Sequence, residues 1–364
     1  MSLADVSRRR MVTRERPHPL RRRPTVSVVV PCYNYGRYLP ACVQSILTQE
    51  DVDVDVLIVD DASPDGSVEV AREIAVDPRV QVIEHVVNQG HIATYNEGLA
   101  KATGDYLVLL SADDLLTPGS LARATALLEA HPEVGFVYGF SAAFNDRTPT
   151  PRTRVTSWTI WTGEQWLREN CERATNPVST PEVVMRASVM HDLKGYDARV
   201  PHAADFLLWL RAAARAHVGR VNGVDQAFYR VHGANMHVQE FGGMVRDITE
   251  RNSVFEIVFT EEGDRVEPVR HLHEAAKAAL ARTALSIACR ASELDDGDDE
   301  LPERLATLAE GIDAEVRGSR LWQRYERNVS GGRRPERPSR LRLLADRVDR
   351  RVRWGWWRWR GIRV

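Results

Sequence analysis

Residues 106–116 read Y-L-V-L-L-S-A-D-D-L-L and bring two carboxylates, Asp113 and Asp114, side by side. The five apolar or aromatic residues Tyr106 to Leu110 just before them read as a buried strand. Adjacent carboxylates repel unless a cation lies between them and a ligand. Oxygen ligands on a hard cation that also holds phosphate suit Mg²⁺ or Mn²⁺. In an open α/β sheet such a ligand binds outside the carboxyl ends of the strands. The competing reading is that Asp113 or Asp114 only caps the helix that starts near Pro118.

The elements that must hold this pair follow from the pattern. Thr25–Val30, Val54–Val59, Val80–Val87 and Val134–Tyr138 read as further strands. Between them lie helical spacings at Leu39–Leu47, Val68–Ala75, His91–Ala102 and Leu121–Leu128. Strand and helix alternate over short connections, which gives a mostly parallel, Rossmann-like sheet flanked by helices. The polar loops 31–34, 60–67 and 111–114 all follow strands and must gather along one sheet edge. Asp61 and Asp113 are therefore expected to face a common ligand. No G-x-G-x-x-G follows the first strand and no Walker sequence occurs, which disfavours nicotinamide, flavin and P-loop chemistry.

Composition sets the outer limits. The 364 residues are 43% hydrophobic and 27% charged, ordinary for a soluble globular protein of one or two domains. The cysteines, 32, 42, 171 and 289, have no C-x-x-C spacing, which fits a reducing cytoplasm rather than a zinc site or disulfide framework. No apolar run approaches the about 18 residues of a membrane helix, and no secretory signal is visible. The net charge of −2 is unevenly spread: residues 1–23 carry +6, residues 332–364 carry +9, and the body carries −17. Residues 1–24 are expected to be a disordered basic arm.

With these motifs in place the chain resembles the family 2 glycosyltransferases. The resemblance rests on V-S-V-V-V-P-C-Y-N (26–34), V-L-I-V-D-D-A-S-P-D-G-S (56–67), N-Q-G (88–90) and N-E-G-L-A-K-A-T-G-D-Y-L-V-L-L-S-A-D-D (96–114), and it runs to about residue 235. It implies a GT-A fold and an inverting, metal-dependent transfer of sugar from a nucleotide-sugar donor. Pro31, Tyr33 and Asn34 would line the nucleotide pocket. Asp61 would accept a hydrogen bond from a uracil or thymine NH, which favours a UDP or dTDP donor. Gly90, Asn96 and Asp113 would complete the nucleotide site, and Asp113 and Asp114 would hold Mg²⁺ or Mn²⁺. Ser111 departs from the family, which often has Asp there.

In the second half, H-A-A-D-F-L-L-W-L-R (202–211) resembles the family segment that carries the catalytic base, which makes Asp205 the candidate. The competing role for Asp205 is a helix cap. Y-R-V-H (229–232) matches another family element. It implies that His232 completes the metal or diphosphate site and that Arg230 offsets leaving-group charge. The acceptor would be a hydroxyl of a glycan or a lipid-linked molecule, in cell-surface polysaccharide synthesis.

The catalytic domain is expected over 25–240, followed by a helical extension, 241–330. Residues 331–364 form an Arg/Trp-rich amphipathic tail, with Leu341, Leu344, Val348, Val352, Trp356 and Trp359 at helical spacing. Such a tail suits an anionic membrane surface, on the inner face of the cell membrane, or else packs on the body. No nucleic-acid partner is expected. Two other readings compete. A nucleotidyltransferase would need a Gly-rich basic loop where this chain has P-C-Y-N. A non-catalytic nucleotide-sugar-binding or membrane-associated protein of the same fold would be expected to lack Asp205 or Asp113.

Overall fold

The computed structural model describes residues 13–233, 243–293 and 300–330, with positions 344, 348, 351, 352 and 355 beyond them. Strand β2 (Thr25–Cys32) is the axis of the sheet. It pairs in parallel with β3 (Asp53–Asp60) on one side and β5 (Tyr106–Leu109) on the other, and β4 (Val80–Glu84) adds in parallel outside β3. Helices α1 (Leu39–Leu47), α2 (Ser67–Ile74) and α3 (His91–Lys101) make the crossovers between them. The β-branched residues of β2 alternate between two cores. Val28 and Val30 join α1 and α4 (Ser120–Ala130), while Val29 joins α3. A sheet buried on both faces explains the near-continuous apolar strands.

Gly98 lets α3 lie close on the sheet, because a Cβ there would stand 2.4 Å from Val29 Cγ1.

The second half widens the sheet with mixed pairing. Strand β10 (Val184–Arg186) runs antiparallel between β5 and β7 (Val134–Tyr138), and β11 (His217–Asn222) runs parallel to β7. Beyond them lie β9 (Ser157–Trp161) and β1 (Thr13–Glu15), giving nine strands in the order β1-β9-β11-β7-β10-β5-β2-β3-β4. A small second sheet places β12 (Ala227–Arg230) between β6 (Leu115–Leu116) and β8 (Ser141–Phe144). This small sheet ties the chain just after Asp114 to the Y-R-V-H segment.

The basic arm departs from its expected disorder where it is described. Thr13–Glu15 pairs antiparallel with β9, and Arg14 Nε donates to Ser157 Oγ at 3.0 Å. Arg22 bridges Asp105 and Glu129 at 2.9 and 2.7 Å. An open sheet edge and acids far away in sequence recruit it, and neither is visible in local composition. Val86 and Val87, read as strand, lie beyond the end of β4 and are 96% and 67% exposed.

The extension is helical as expected: α8 (Met244–Glu261), α9 (Leu272–Ala291), α10 (Leu301–Ile312) and α11 (Arg320–Ser330). It shares one apolar core with α5 (Gly163–Arg173), α6 (Ala187–Leu193) and α7 (Ala204–Ala213). Phe255 of α8 meets Phe206 of α7 edge to face, with centroids 5.6 Å apart. Among the described residues no helix is long and apolar enough to cross a membrane. The amphipathic pattern of 341–364 falls almost wholly outside the described residues.

Candidate active site

The Asp113–Asp114 pair is buried, at 5% and 2% exposure. It does not cap α4, whose N-cap is Gly119. Strand β12 supplies its surroundings. The Arg230 backbone N–H donates to Asp114 Oδ1 at 2.9 Å, and Arg230 Nε donates to the Asp113 carbonyl at 2.9 Å. His232 Nε2 lies 3.0 Å from Asp113 Oδ2. Burial pushes both carboxyls above their usual range. His232 and Arg230 oppose this at Asp113, while the charge of Asp113 adds to it at Asp114. Two desolvated like charges are an arrangement that a cation would relieve.

Aromatic rings shape one wall. His232 stacks on Tyr38 with centroids 5.4 Å apart and meets Tyr35 edge-on at 5.7 Å. The Arg230 guanidinium lies 4.5 Å from the Tyr38 centroid and 4.3 Å from that of Phe144. Arg230 and His232 thus both reach the acidic pair. His232 meets Asp113 through a hydrogen bond, and among the described residues no cluster of three or more metal-ligating side chains occurs. Any metal here would rest on the two aspartates and on ligands from a substrate.

Asp205 opens α7 from inside the helix; the N-cap is Ala203. Its Oδ1 accepts from the Phe206 N–H at 2.6 Å and its Oδ2 from Asn176 Nδ2 at 3.0 Å. Part of the residue stays open to solvent, yet burial pushes the carboxyl up to about 6. Tyr95 of α3 and Tyr229 of β12 are both raised above the ordinary phenol range, by burial first and then by Asp113, Asp114 and Asp205 together. Tyr95 and Tyr229 thus lie within electrostatic reach of all three carboxylates.

The loops after β2 and β3 are stitched together at the sheet edge. Asn34 adopts φ 61° and its N–H donates to Ser63 Oγ at 3.1 Å. Pro31 is buried, and Tyr33 stands 43% exposed beside it. Asp65 accepts from the Ser67 N–H at 3.1 Å and so shapes the turn into α2. Asp61 Oδ1 accepts from the Gln89 N–H at 2.7 Å and Oδ2 from the Gly90 N–H at 3.0 Å. His85 Nδ1 lies 2.7 Å from Asp61 Oδ1, and His85 Nε2 lies 2.8 Å from Glu97 Oε2. Burial works against the Asp61 carboxylate, but the hydrogen bonds from Gln89, His85, Thr94 and Gly90 hold it below its usual range.

Two expected nucleotide residues are therefore engaged within the chain. Asp61, 4% exposed at its side chain, fixes the N-Q-G loop. Asn96 departs further from its expected role. Its amide donates to the Tyr196 carbonyl at 2.8 Å and accepts from the Tyr196 N–H at 2.7 Å. It clasps the 195–196 backbone, and Gly195, at φ +84°, leaves room for it. Tyr95, Asn176 and His85 carry no role in the sequence reading, and Tyr229 enters it only within Y-R-V-H. Tyr95 and Tyr229 border residues that had been singled out, but Asn176 and His85 carry no local signal.

Residues 27–189 match the model of glycosyl transferase family 2. EpsE of Bacillus subtilis is 31% identical over 216 residues, covering 57% of this chain and 73% of that protein. An uncharacterized glycosyltransferase of Nostoc is 28% identical over 230 residues, covering 58% of this chain and 66% of that one. The chain thus spans about two thirds of the length of such relatives. The chain belongs to glycosyltransferase family 2. Its fold is that of S. aureus TarS 1-349, solved with UDP-GlcNAc, at TM-score 0.61 and 16% identity over 85% of this chain and 91% of that one. A mannosyltransferase from Pyrobaculum calidifontis, solved with GDP-Man and Mn²⁺, aligns at TM-score 0.52 and 21% identity over 86% of each. The α/β architecture is therefore GT-A-like, with helices added at the C-terminal side.

Proposed function

We propose that the protein is an inverting, metal-dependent glycosyltransferase that moves a sugar from a nucleoside-diphosphate donor to a hydroxyl of a glycan or lipid-linked acceptor. The observation that supports this reading is the buried Asp113–Asp114 pair held by Arg230 and His232 of the Y-R-V-H segment, with the carboxylate of Asp205 held by Asn176 and the Phe206 N–H at the start of α7. Asp113 and Asp114 would hold Mg²⁺ or Mn²⁺ together with the donor's phosphates; oxygen donors of this kind suit a hard cation. When bound, the ion supplies positive charge against the departing diphosphate.

The chain's own groups do the rest. Asp205 takes the proton of the acceptor hydroxyl as its oxygen bonds to the anomeric carbon. The bond from that carbon to the diphosphate oxygen breaks, and its electron pair leaves with the nucleotide. A carboxyl near 6 is largely ionised at neutral pH and still basic enough for this transfer. Base and diphosphate on opposite sides of the sugar give inversion. Arg230 adds positive charge beside Asp113, and His232 is hydrogen-bonded to its carboxylate. Pro31, Tyr33, Asn34 and the loop pinned by Asp61 form the nucleotide wall, with uracil or thymine favoured and Asp61 available to the base NH if the loop yields a contact. A role in surface polysaccharide synthesis fits the 26% identity to the hyaluronan synthase of Pasteurella multocida, which covers 61% of this chain and 22% of that protein.

The test is a thermal-shift panel of UDP, dTDP and GDP sugars with and without Mn²⁺, followed by release of nucleoside diphosphate. A Mn²⁺-dependent shift with one series, and turnover of it, is expected. Binding without turnover for every donor and acceptor tried would leave a non-catalytic nucleotide-sugar binder in its place.

A further inference from the structure

We propose that Asn176 is the positioning residue of the Asp205 carboxylate, and that helix α8 of the extension clamps the two in place. This rests on Asp205 as the base of the preceding section.

Asn176 holds its amide in a fixed sense. Its Oδ1 accepts from the Val178 N–H at 3.1 Å, so the opposite end, Nδ2, is the one presented to Asp205 Oδ2 at 3.0 Å. The other oxygen of Asp205 takes the Phe206 N–H at 2.6 Å. Donors from two separate elements thus fix the plane of the carboxylate and favour its charged form.

The support for this pair comes from α8. On one side, Ala174 sits at φ 48° and its carbonyl accepts from Arg251, whose guanidinium is paired with Asp247 at 2.8 Å. That anchors the loop carrying Asn176. On the other side, Glu250 Oε2 accepts from the His202 N–H at 2.7 Å and the Ala203 N–H at 3.1 Å. These amides lead into α7, where a carboxylate is favoured by the helix dipole. His202 Nε2 lies 3.3 Å from Asp247 Oδ1. Asp247, Glu250 and Arg251 share one face of α8 at i, i+3 and i+4 and hold both flanks of the base. Glu250 is buried at 8% exposure, and burial of a carboxylate is costly unless it is so paired.

Among the described residues, the ionisable groups that interact electrostatically with Asp205 include His202 from its own segment, Tyr95 of α3, Tyr196 and Tyr229 of β12. Asn176 differs from them in being neutral at every pH, so its removal changes no charge beside Asp205.

The experiment compares the full-length chain with Asn176→Ala and Asn176→Asp by ¹³C NMR titration of the Asp205 carboxyl and by the pH dependence of nucleoside-diphosphate release. Asn176→Ala is expected to raise the Asp205 midpoint by about one unit. The rising limb of the rate should move with it, with kcat reduced about tenfold and the donor KM unchanged. Asn176→Asp sets a second carboxylate beside the first and should move the midpoint further up. Should one variant fail to fold, the other carries the test, and Glu250→Gln should lower kcat without changing donor KM. A folded variant with an unmoved midpoint and limb overturns the proposal while leaving the glycosyltransferase reading intact. A wild-type chain that turns over no donor, with a midpoint that Asn176→Ala does not move, overturns both.

Discussion

The same desolvation acts on Asp205 and on the Asp113–Asp114 pair, yet the neighbours give them separate tasks. Asp205 meets neutral donors, Asn176 and the Phe206 amide, which suits the base role proposed for it. Asp205→Asn should therefore cut transfer by at least about a hundredfold while the donor still binds; calorimetric donor titration beside a transfer assay checks both halves. Asp114 meets another acid, so Asp114→Ala should remove the metal-dependent part of donor affinity. Equal donor affinity with and without Mn²⁺ in the wild type would contradict this. His85 between Asp61 and Glu97 makes a third case. Burial works against the imidazolium, but both carboxylates outweigh it and raise His85 above its ordinary value. Asp61 and Glu97 are held below theirs. The raised histidine contributes stability that is fully present below its unfolded value near 6.5 and is lost as pH rises through the folded value. The lowered carboxylates contribute stability present above about pH 4 that is lost on acidification. Urea denaturation from pH 6 to 9 should show the wild type losing its advantage over His85→Gln; parallel curves would count against a charged bridge.

At the scale of elements, the extension is bound to the catalytic half through packing. Phe255 is fully buried against Phe206, so Phe255→Ala should cost roughly 3–5 kcal/mol in chemical denaturation. A cost of that size should come with weakened turnover, since α8 also carries Glu250 and Arg251. Helix α3 gives a similar lesson at Gly98. An alanine there meets Val29 at 2.4 Å, so Gly98→Ala should destabilise and loosen the N-Q-G end of the same helix. Both effects belong to contacts between elements distant in sequence.

For the whole molecule, the acidic body and basic ends are partly reconciled inside the fold. Arg22 closes on Asp105 and Glu129, more than 80 residues away. The basic stretch 341–364 is proposed to meet an anionic membrane. Deleting it should lower sedimentation with anionic liposomes and leave donor hydrolysis unchanged; an unchanged liposome partition would remove that role.

The sequence by itself determined the parallel half of the sheet, because β-branched runs and helical spacings are local. It also determined the acidic pair, because two carboxylates after a buried strand are visible within a few residues. The family resemblance singled out Asp205, Arg230 and His232. What only the tertiary structure decided is who touches whom. Asn96 turned from the nucleotide to Tyr196, Asp61 spent its oxygens on the N-Q-G loop, and Thr13–Glu15 joined an edge strand. Asn176, His85 and Glu250 sit in stretches without a motif and gain their roles from partners 12 to 48 residues away. Hydrogen bonds across such separations depend on the packed backbone, and local residue pattern carries no record of them.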